Sequence, residues 1–345
     1  MNLYNTSALL GVIATLDRPS GFLLDLYFPE EQTFDTEEVY FDKIDRARRL
    51  APFVSPKVAG KAERARGYST RTFAPAYVKP KHLVEPAKAL KRAPGENLGG
   101  GQLSAEQRFQ MAVADNLMLE DEQITRREEW MASELLRTGS VTVEGEDYPT
   151  QVVDLGRHND LTVTLTDALR WGESGVSPMK TLRGWAARVA SKSGAMARTV
   201  VMDPLATEIF QEDEYVQKVL DNRRQVSGSM ELSGLQGGYG AGDEAVYLGS
   251  IGQFDFWQYQ DIYTDAAGAE VKMLPDYTVL VGSPKQAAGV RCYGAIQDTK
   301  AQLRPMSRYP KMWDTDDPAV TTTMTQSAPL PVLGRPDAVL CATVK

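Results

Sequence analysis

The residues able to do chemistry are few in this chain. It carries two histidines, His82 and His158, and two cysteines, Cys292 and Cys341. Either histidine has the chemistry of a general base. No G-x-S-x-G or other placed nucleophile accompanies them, so each reads as an ordinary polar residue. The cysteines are far apart and not in metal-ligand spacing; they read as reduced, packed thiols. No H-E-x-x-H, no C-x-x-C and no dense carboxylate cluster points to a metal. The run Gly237–Gly242 superficially suggests a phosphate loop. It lacks the following Lys-Ser/Thr and is not set between a strong strand and a helix, so a loop is the better reading. Asp316 and Asp317 precede Pro318 and read as a turn. This inventory predicts a protein that is not an enzyme, with no catalytic residue, no metal and no cofactor.

What remains is charge. Residues 43–92 carry fourteen Lys/Arg against three Asp/Glu, a net +11 in a chain whose total is −8. Residues 1–42 show the reverse, eight acids against Arg18 alone. Three readings follow. Scattered charge is usually a solvated surface. Phosphate contacts, with Phe53, Tyr68, Phe73 and Tyr77 available for stacking, would suit nucleic acid, but a sequence pI near 5.1 weakens that reading. Docking of the basic segment onto the acidic arm or rod of another copy is the third, and the acidic residues 1–42 favour it.

The elements that would position these charges follow from spacing. The length of 345 residues and 42 % apolar content allow a large core. No uncharged apolar run approaches the roughly 18 residues of a membrane span, and no signal peptide is read at Ala8–Leu16. That segment is a short helix capped by Thr6 or Ser7. An apolar run follows from Phe22 to Phe28, and Val39–Phe41 reads as a strand. Prolines and glycines break the basic segment into extended pieces, Tyr68–Phe73 and Ala76–Lys79, joined near Pro75 as a long two-stranded loop. Gly95–Gly101 is a hinge.

The clearest helix follows. Ser104 and Gln107 fit a capping box, Phe109, Val113, Leu117, Ile124, Met131 and Leu135 recur at helical spacing, and Gly139 ends the run. Its other face carries Glu120, Asp121, Arg126, Arg127, Glu128 and Glu129, which read as wet or as touching a partner. Val141–Val143 and Thr150–Val153 make a hairpin. Ser177-Pro178 starts a helix ending at Gly194; Thr199–Met202 is a buried strand; Asp203-Pro204 caps a helix to about Arg224. Residues 227–243 read as a loop. Strands follow at Ala245–Leu248, Phe254–Tyr263, Val271–Leu274 and Thr278–Val281, with a turn at Asp265–Gly268, and strand character returns at Val332–Leu333 and Ala338–Val344.

The order of these parts resembles the major capsid proteins of tailed phages with the Hong Kong 97-type fold, and more narrowly the lambda-type capsid protein E family. The resembling stretches are Phe22–Phe28, Thr36–Phe41, Ala51–Gly60, Phe73–His82, Leu274–Gly282, Tyr293–Asp298, Arg308–Lys311 and Gln326–Leu330. The most specific is Tyr77 to His82. The resemblance covers nearly the whole chain and is weakest at 160–250.

The resemblance implies an α+β fold with an N-terminal arm (1–33), a peripheral-domain strand (34–45), an extended β-loop (46–95) and a peripheral domain (96–167) with a spine helix at 104–139. An axial domain (168–322) and a C-terminal peripheral strand (323–345) complete it. It implies a head protein forming hexamers and pentamers of an icosahedral shell around double-stranded DNA in the virion, assembled in the bacterial cytoplasm. The expected partners are further copies of itself, a separate scaffolding protein, a portal, a decoration protein and the packaged DNA. The residues expected at contacts between subunits are Arg64, Arg66, Arg71, Lys79, Lys81, Tyr77, Glu37 and Glu38. An encapsulin-like nanocompartment and a DNA-binding protein using 43–92 are the alternatives.

Overall fold

A computed structural model describes residues 6–15, 21–36, 38–44, 53, 57, 68–91, 103–145, 148–218, 244–265, 267–302 and 304–345. The element that organises them is α4 (Ala105–Thr138), 34 residues and so roughly 50 Å long. It begins as the spacing predicts. The Gln107 backbone N–H donates to Ser104 Oγ at 3.2 Å, and the Ser104 N–H donates to Gln107 Oε1 at 2.8 Å. It ends at Gly139, whose φ of 81° is left-handed and suits glycine. The Arg157 guanidinium closes that end, donating to the Leu136 carbonyl at 2.6 Å and to the Arg137 carbonyl. A cation there meets carbonyls that the helix itself leaves open. A Cβ on Gly139 would lie 2.6 Å from Arg157 Cβ, so the close approach also requires glycine.

Two cores share this rod. Along its first half, Val113 and Leu117 pack with Leu9 of α1 (Thr6–Thr15), Val84 of β4 (Lys81–Val84) and Met312 of β15 (Tyr309–Asp316). Along its second half, Met131, Ala132, Leu135 and Leu136 join the main core. That core contains α2 (Phe22–Tyr27) and a six-stranded sheet. The strand order is β7 (Thr162–Thr164), β18 (Val339–Thr343), β13 (Thr278–Gly282), β8 (Thr199–Met202), β10 (Phe254–Tyr259) and β9 (Ala245–Ile251). The central strand β13 is buried at every position, hence the apolar run of its centre, Val279–Val281. Helices α5 (Pro178–Ser193) and α6 (Pro204–Glu212) cover the sheet. Trp171 stacks on Trp185 at 5.9 Å and Phe210 on Phe256 at 4.7 Å.

Smaller sheets surround this centre. One has the order β1 (Glu30–Thr33), β14 (Gly289–Tyr293), β17 (Pro329–Leu333). Another runs β15, β16 (Ala319–Gln326), β4, with the Asp317-Pro318 turn between the first two. Three two-stranded ribbons complete the described sheets: β2 (Val39–Ile44) with β3 (Tyr68–Phe73), β5 (Ser140–Gly145) with β6 (Tyr148–Asp154), and β11 (Ile262–Thr264) with β12 (Glu270–Lys272). The short α3 (Pro86–Leu90) lies against α4.

Four expectations change. Tyr68–Phe73 does not fold back on Ala76–Lys79. It pairs with β2, from Val39 opposite Phe73 to Ile44 opposite Tyr68, while Val78 bridges to Ser327. The helix from Asp203 stops at Glu212 and turns at Asp213; a separate helical stretch covers 214–218. Phe254–Tyr263 is two strands, because the chain leaves the large sheet after Tyr259. The charged face of α4 is not wet: Glu120, Asp121, Glu128 and Glu129 are buried, whereas Arg126 and Arg127 are exposed. The expected hinge at Gly95–Gly101 and the glycine-rich loop at 227–243 lie outside the described residues.

Candidate functional site

The acids of α4 form a polar stripe inside the molecule. Glu120, Ile124 and Glu128 are four residues apart, so they share one face of the helix, with Asp121, Thr125 and Glu129 beside them. Several incoming segments end on this stripe. Arg308, just before β15, donates through Nε to Asp121 Oδ1 at 2.6 Å, through one terminal nitrogen to Glu128 Oε1 at 2.7 Å and through the other to Thr125 Oγ1 at 3.2 Å. The Tyr293 hydroxyl adds a bond to Glu128 Oε2 at 3.3 Å. Burial alone would lower the pKa of Arg308, but the Glu128 and Asp121 carboxylates outweigh it and hold the guanidinium charged.

Glu120 and Glu129 are held differently. Thr323 and Thr325 of β16 each donate a hydroxyl to Glu120 at 2.7 Å, and His82 Nδ1 of β4 lies 3.4 Å away. Glu129 accepts the Leu23 N–H at 2.8 Å, the Leu24 N–H at 2.9 Å and the Tyr259 hydroxyl at 2.8 Å. Burial raises both carboxyls above the usual range, against the pull of these donors, and Glu129 reaches about 7. The stripe therefore ties α2, β4 and the β15–β16 hairpin to one rod. No sequence expectation assigned it this role. The signal was present, since helical spacing places Glu120 and Glu128 on the same face as the apolar Ile124.

The outward residues separate by charge. β1 is the outermost strand of its sheet, and Glu30 to Thr33 are all exposed. Asp35 and Glu38 beyond it are exposed too. Lys79 and Lys81 are exposed on the segment entering β4, with Lys79 Nζ 4.8 Å from the Tyr77 ring centre. Tyr77 itself is half-buried; its hydroxyl donates to the Ala295 carbonyl and accepts from the Gln297 N–H within the same chain. Arg71 lies on β3, opposite Phe41 in the ribbon. Glu38 sits at the root of that ribbon, where Val39 is buried. The structure thus brings Tyr77, Lys79 and Lys81 together. Arg64, Arg66 and Glu37 lie outside the described residues. His158 caps a short turn through Asp160 N–H and faces Lys192; Cys292 and Cys341 are buried free thiols, pushed by burial up to about 12 and about 11. Among the described residues no group of three His, Cys, Asp or Glu is placed to hold a metal.

This mixed α/β architecture, built on one long helix, is the fold of the phage capsid proteins. A crystal structure of a prophage protein of Escherichia coli CFT073, described as a capsid protein, superposes with a TM-score of 0.76 at 21% identity, covering 99% of each chain. The chain is 33% identical to the major capsid protein of Escherichia phage lambda over 341 residues, 98% of each. It is also 33% identical to the major capsid protein of Enterobacteria phage P21 over 349 residues, 100% of each. A family model described as phage major capsid protein E matches residues 5–344. The chain belongs to the phage major capsid protein E family. It is the major capsid protein of a tailed phage, a structural component of the virion and not an enzyme.

Proposed function

We propose that copies of this chain form hexamers and pentamers that close into an icosahedral shell around double-stranded DNA, held by acidic surfaces of one copy against basic surfaces of the next. The observation that carries this reading is the separation of charge at the outer edge of the fold. Glu30, Glu31 and Glu38 are exposed on and beyond β1, while Lys79 and Lys81 are exposed on the segment entering β4. Opposite charges on separate edges steer encounter and fix register more than they add affinity. Each contact can then be weak, since every copy makes many and closure multiplies them.

In this reading residues 1–33 are an arm, 46–95 an extended loop and 104–139 the spine. Residues 34–45, 96–167 and 323–345 make up a peripheral domain, and 168–322 form an axial domain. Arg64, Arg66, Arg71, Lys79, Lys81 and Tyr77 belong to the basic side of the contact, Glu37 and Glu38 to the acidic side. A scaffolding protein, a portal and a decoration protein are the further partners, and packaged DNA is met through non-specific contacts.

The test is charge reversal. Lys79→Glu with Lys81→Glu, and separately Arg64→Glu with Arg66→Glu, should block shell closure more severely at low salt than at high salt. Screening shortens the repulsion to a Debye length of about 8 Å near physiological salt. Defects of equal size at both salts, read by sedimentation, would mean that packing and not charge holds the contact.

A further inference from the structure

We infer that the Glu129 carboxyl is a proton-sensitive latch that fastens α2 to the spine helix. Helix α2 has no cap of its own. Its N-cap is Gly21, which offers no side-chain oxygen. The first-turn N–H groups of Leu23 and Leu24 are taken instead by Glu129 from α4, and Tyr259 of β10 donates to the same carboxyl. The fit depends on Gly21: a Cβ there would lie 2.7 Å from Glu129 Oε2. Around the joint, the Phe22 ring packs 5.3 Å from Trp257 and 5.5 Å from Tyr259, and Leu23, Leu24, Tyr27 and Phe28 are buried.

The charged groups around Glu129 do not neutralise it. From β10 it meets Tyr259, and Asp261 follows two residues later; that carboxyl is itself raised by burial. Asp261 acts on Glu129 as a like charge. On α4, Arg126 is exposed and paired with Glu122, and Glu128 is committed to Arg308. On α2, Asp25 is paired with Arg291 at 2.5 Å. The ionised carboxylate is therefore surrounded by hydrogen-bond donors but has no cation in ion-pair contact among the described residues.

The proton count gives the direction. With α2 docked the carboxyl titrates near 7, against an ordinary 4.5 once water reaches it. Docking between those values takes up a proton, so it is strongest at low pH. It weakens as pH rises toward 7 and levels off above that. Releasing α2 bares Leu23, Leu24, Tyr27 and Phe28, which makes the N-terminal segment available to a neighbouring copy. This coupling is independent of the charge-matched contacts proposed above.

Hydrogen exchange of the full-length chain, read on the peptide 21–28 and corrected for intrinsic rates, tests the latch. Protection should fall about tenfold between pH 6 and pH 8.5, and Glu129→Gln should abolish that slope. Tyr259→Phe removes a donor to the ionised form and should move the midpoint to higher pH. Protection that does not change with pH in the natural chain, or an equal slope in Glu129→Gln, would overturn the inference. Should Glu129→Gln fail to fold, Tyr259→Phe decides, and a midpoint that stays or moves down contradicts the latch.

Discussion

One face of α4 buries carboxylates in two ways. Asp121 and Glu128 are paired with Arg308, which is buried with them and bonds to both. Glu120 and Glu129, each next to one of that pair in sequence, are met by hydroxyls and backbone N–H groups. The first arrangement is a fixed joint. One guanidinium offsets much of the charge of both carboxylates, and removing it leaves them stranded in a low dielectric. The second is an adjustable joint, whose donors suit an anion while its burial disfavours one. The fixed joint holds the root of the β15–β16 hairpin. The adjustable joints hold α2, which lies within the acidic stretch 1–42, and β4, which lies within the basic stretch 43–92. If the proposed contacts hold, the elements nearest them are those fastened by hydrogen bonds and not by an ion pair.

The largest effect should come from breaking the fixed joint. Arg308→Met leaves two buried carboxylates without a cation and should cost about 3–5 kcal/mol in denaturant unfolding. Adding Asp121→Asn and Glu128→Gln to it should restore most of that loss. Next comes pH. The Glu129 carboxyl is raised, so its contribution favours the folded state below about 4.5 and is lost as pH rises to about 7. The difference in unfolding free energy between the natural chain and Glu129→Gln should shift by about 3 kcal/mol across that window.

Removing one donor from the other adjustable joint is milder. Thr325→Val deletes a hydroxyl bond to Glu120 and should cost about 2 kcal/mol, more at neutral than at acid pH, because the ionised form loses the donor. Smallest is a change away from the stripe. Ser104→Ala opens the capping box at the exposed end of α4 and should cost about 1 kcal/mol with no dependence on the state of the acids.

Local order was legible in the sequence wherever neighbours in the chain enforce it. The Ser104–Gln107 box, the glycine ends at Gly139 and Gly194 and the Asp203 cap each involve a few adjacent residues, and the structure contains them all. The stripe was not read, because its meaning depends on residues far away. Charged positions on a helix ordinarily face water, and nothing near Glu128 announces that Arg308, 180 positions on, will arrive to meet it. The partner of β3 was missed for the same reason: Phe73 finds Val39 across a long intervening stretch, while Val78 was closer in sequence. The charge asymmetry was visible from composition alone, but composition does not say which exposed acids stand on a strand edge. β1 supplies that.

The most direct measurement is electron microscopy with sedimentation of the full-length chain, co-expressed with its neighbouring phage genes, beside the Lys79→Glu/Lys81→Glu variant. The natural chain should give uniform polyhedral shells and the variant, at low salt, soluble subunits or capsomers, with closure recovering as salt rises. Normal shells from the variant at low salt, or discrete small oligomers from the natural chain even with scaffold supplied, would contradict the proposed assembly.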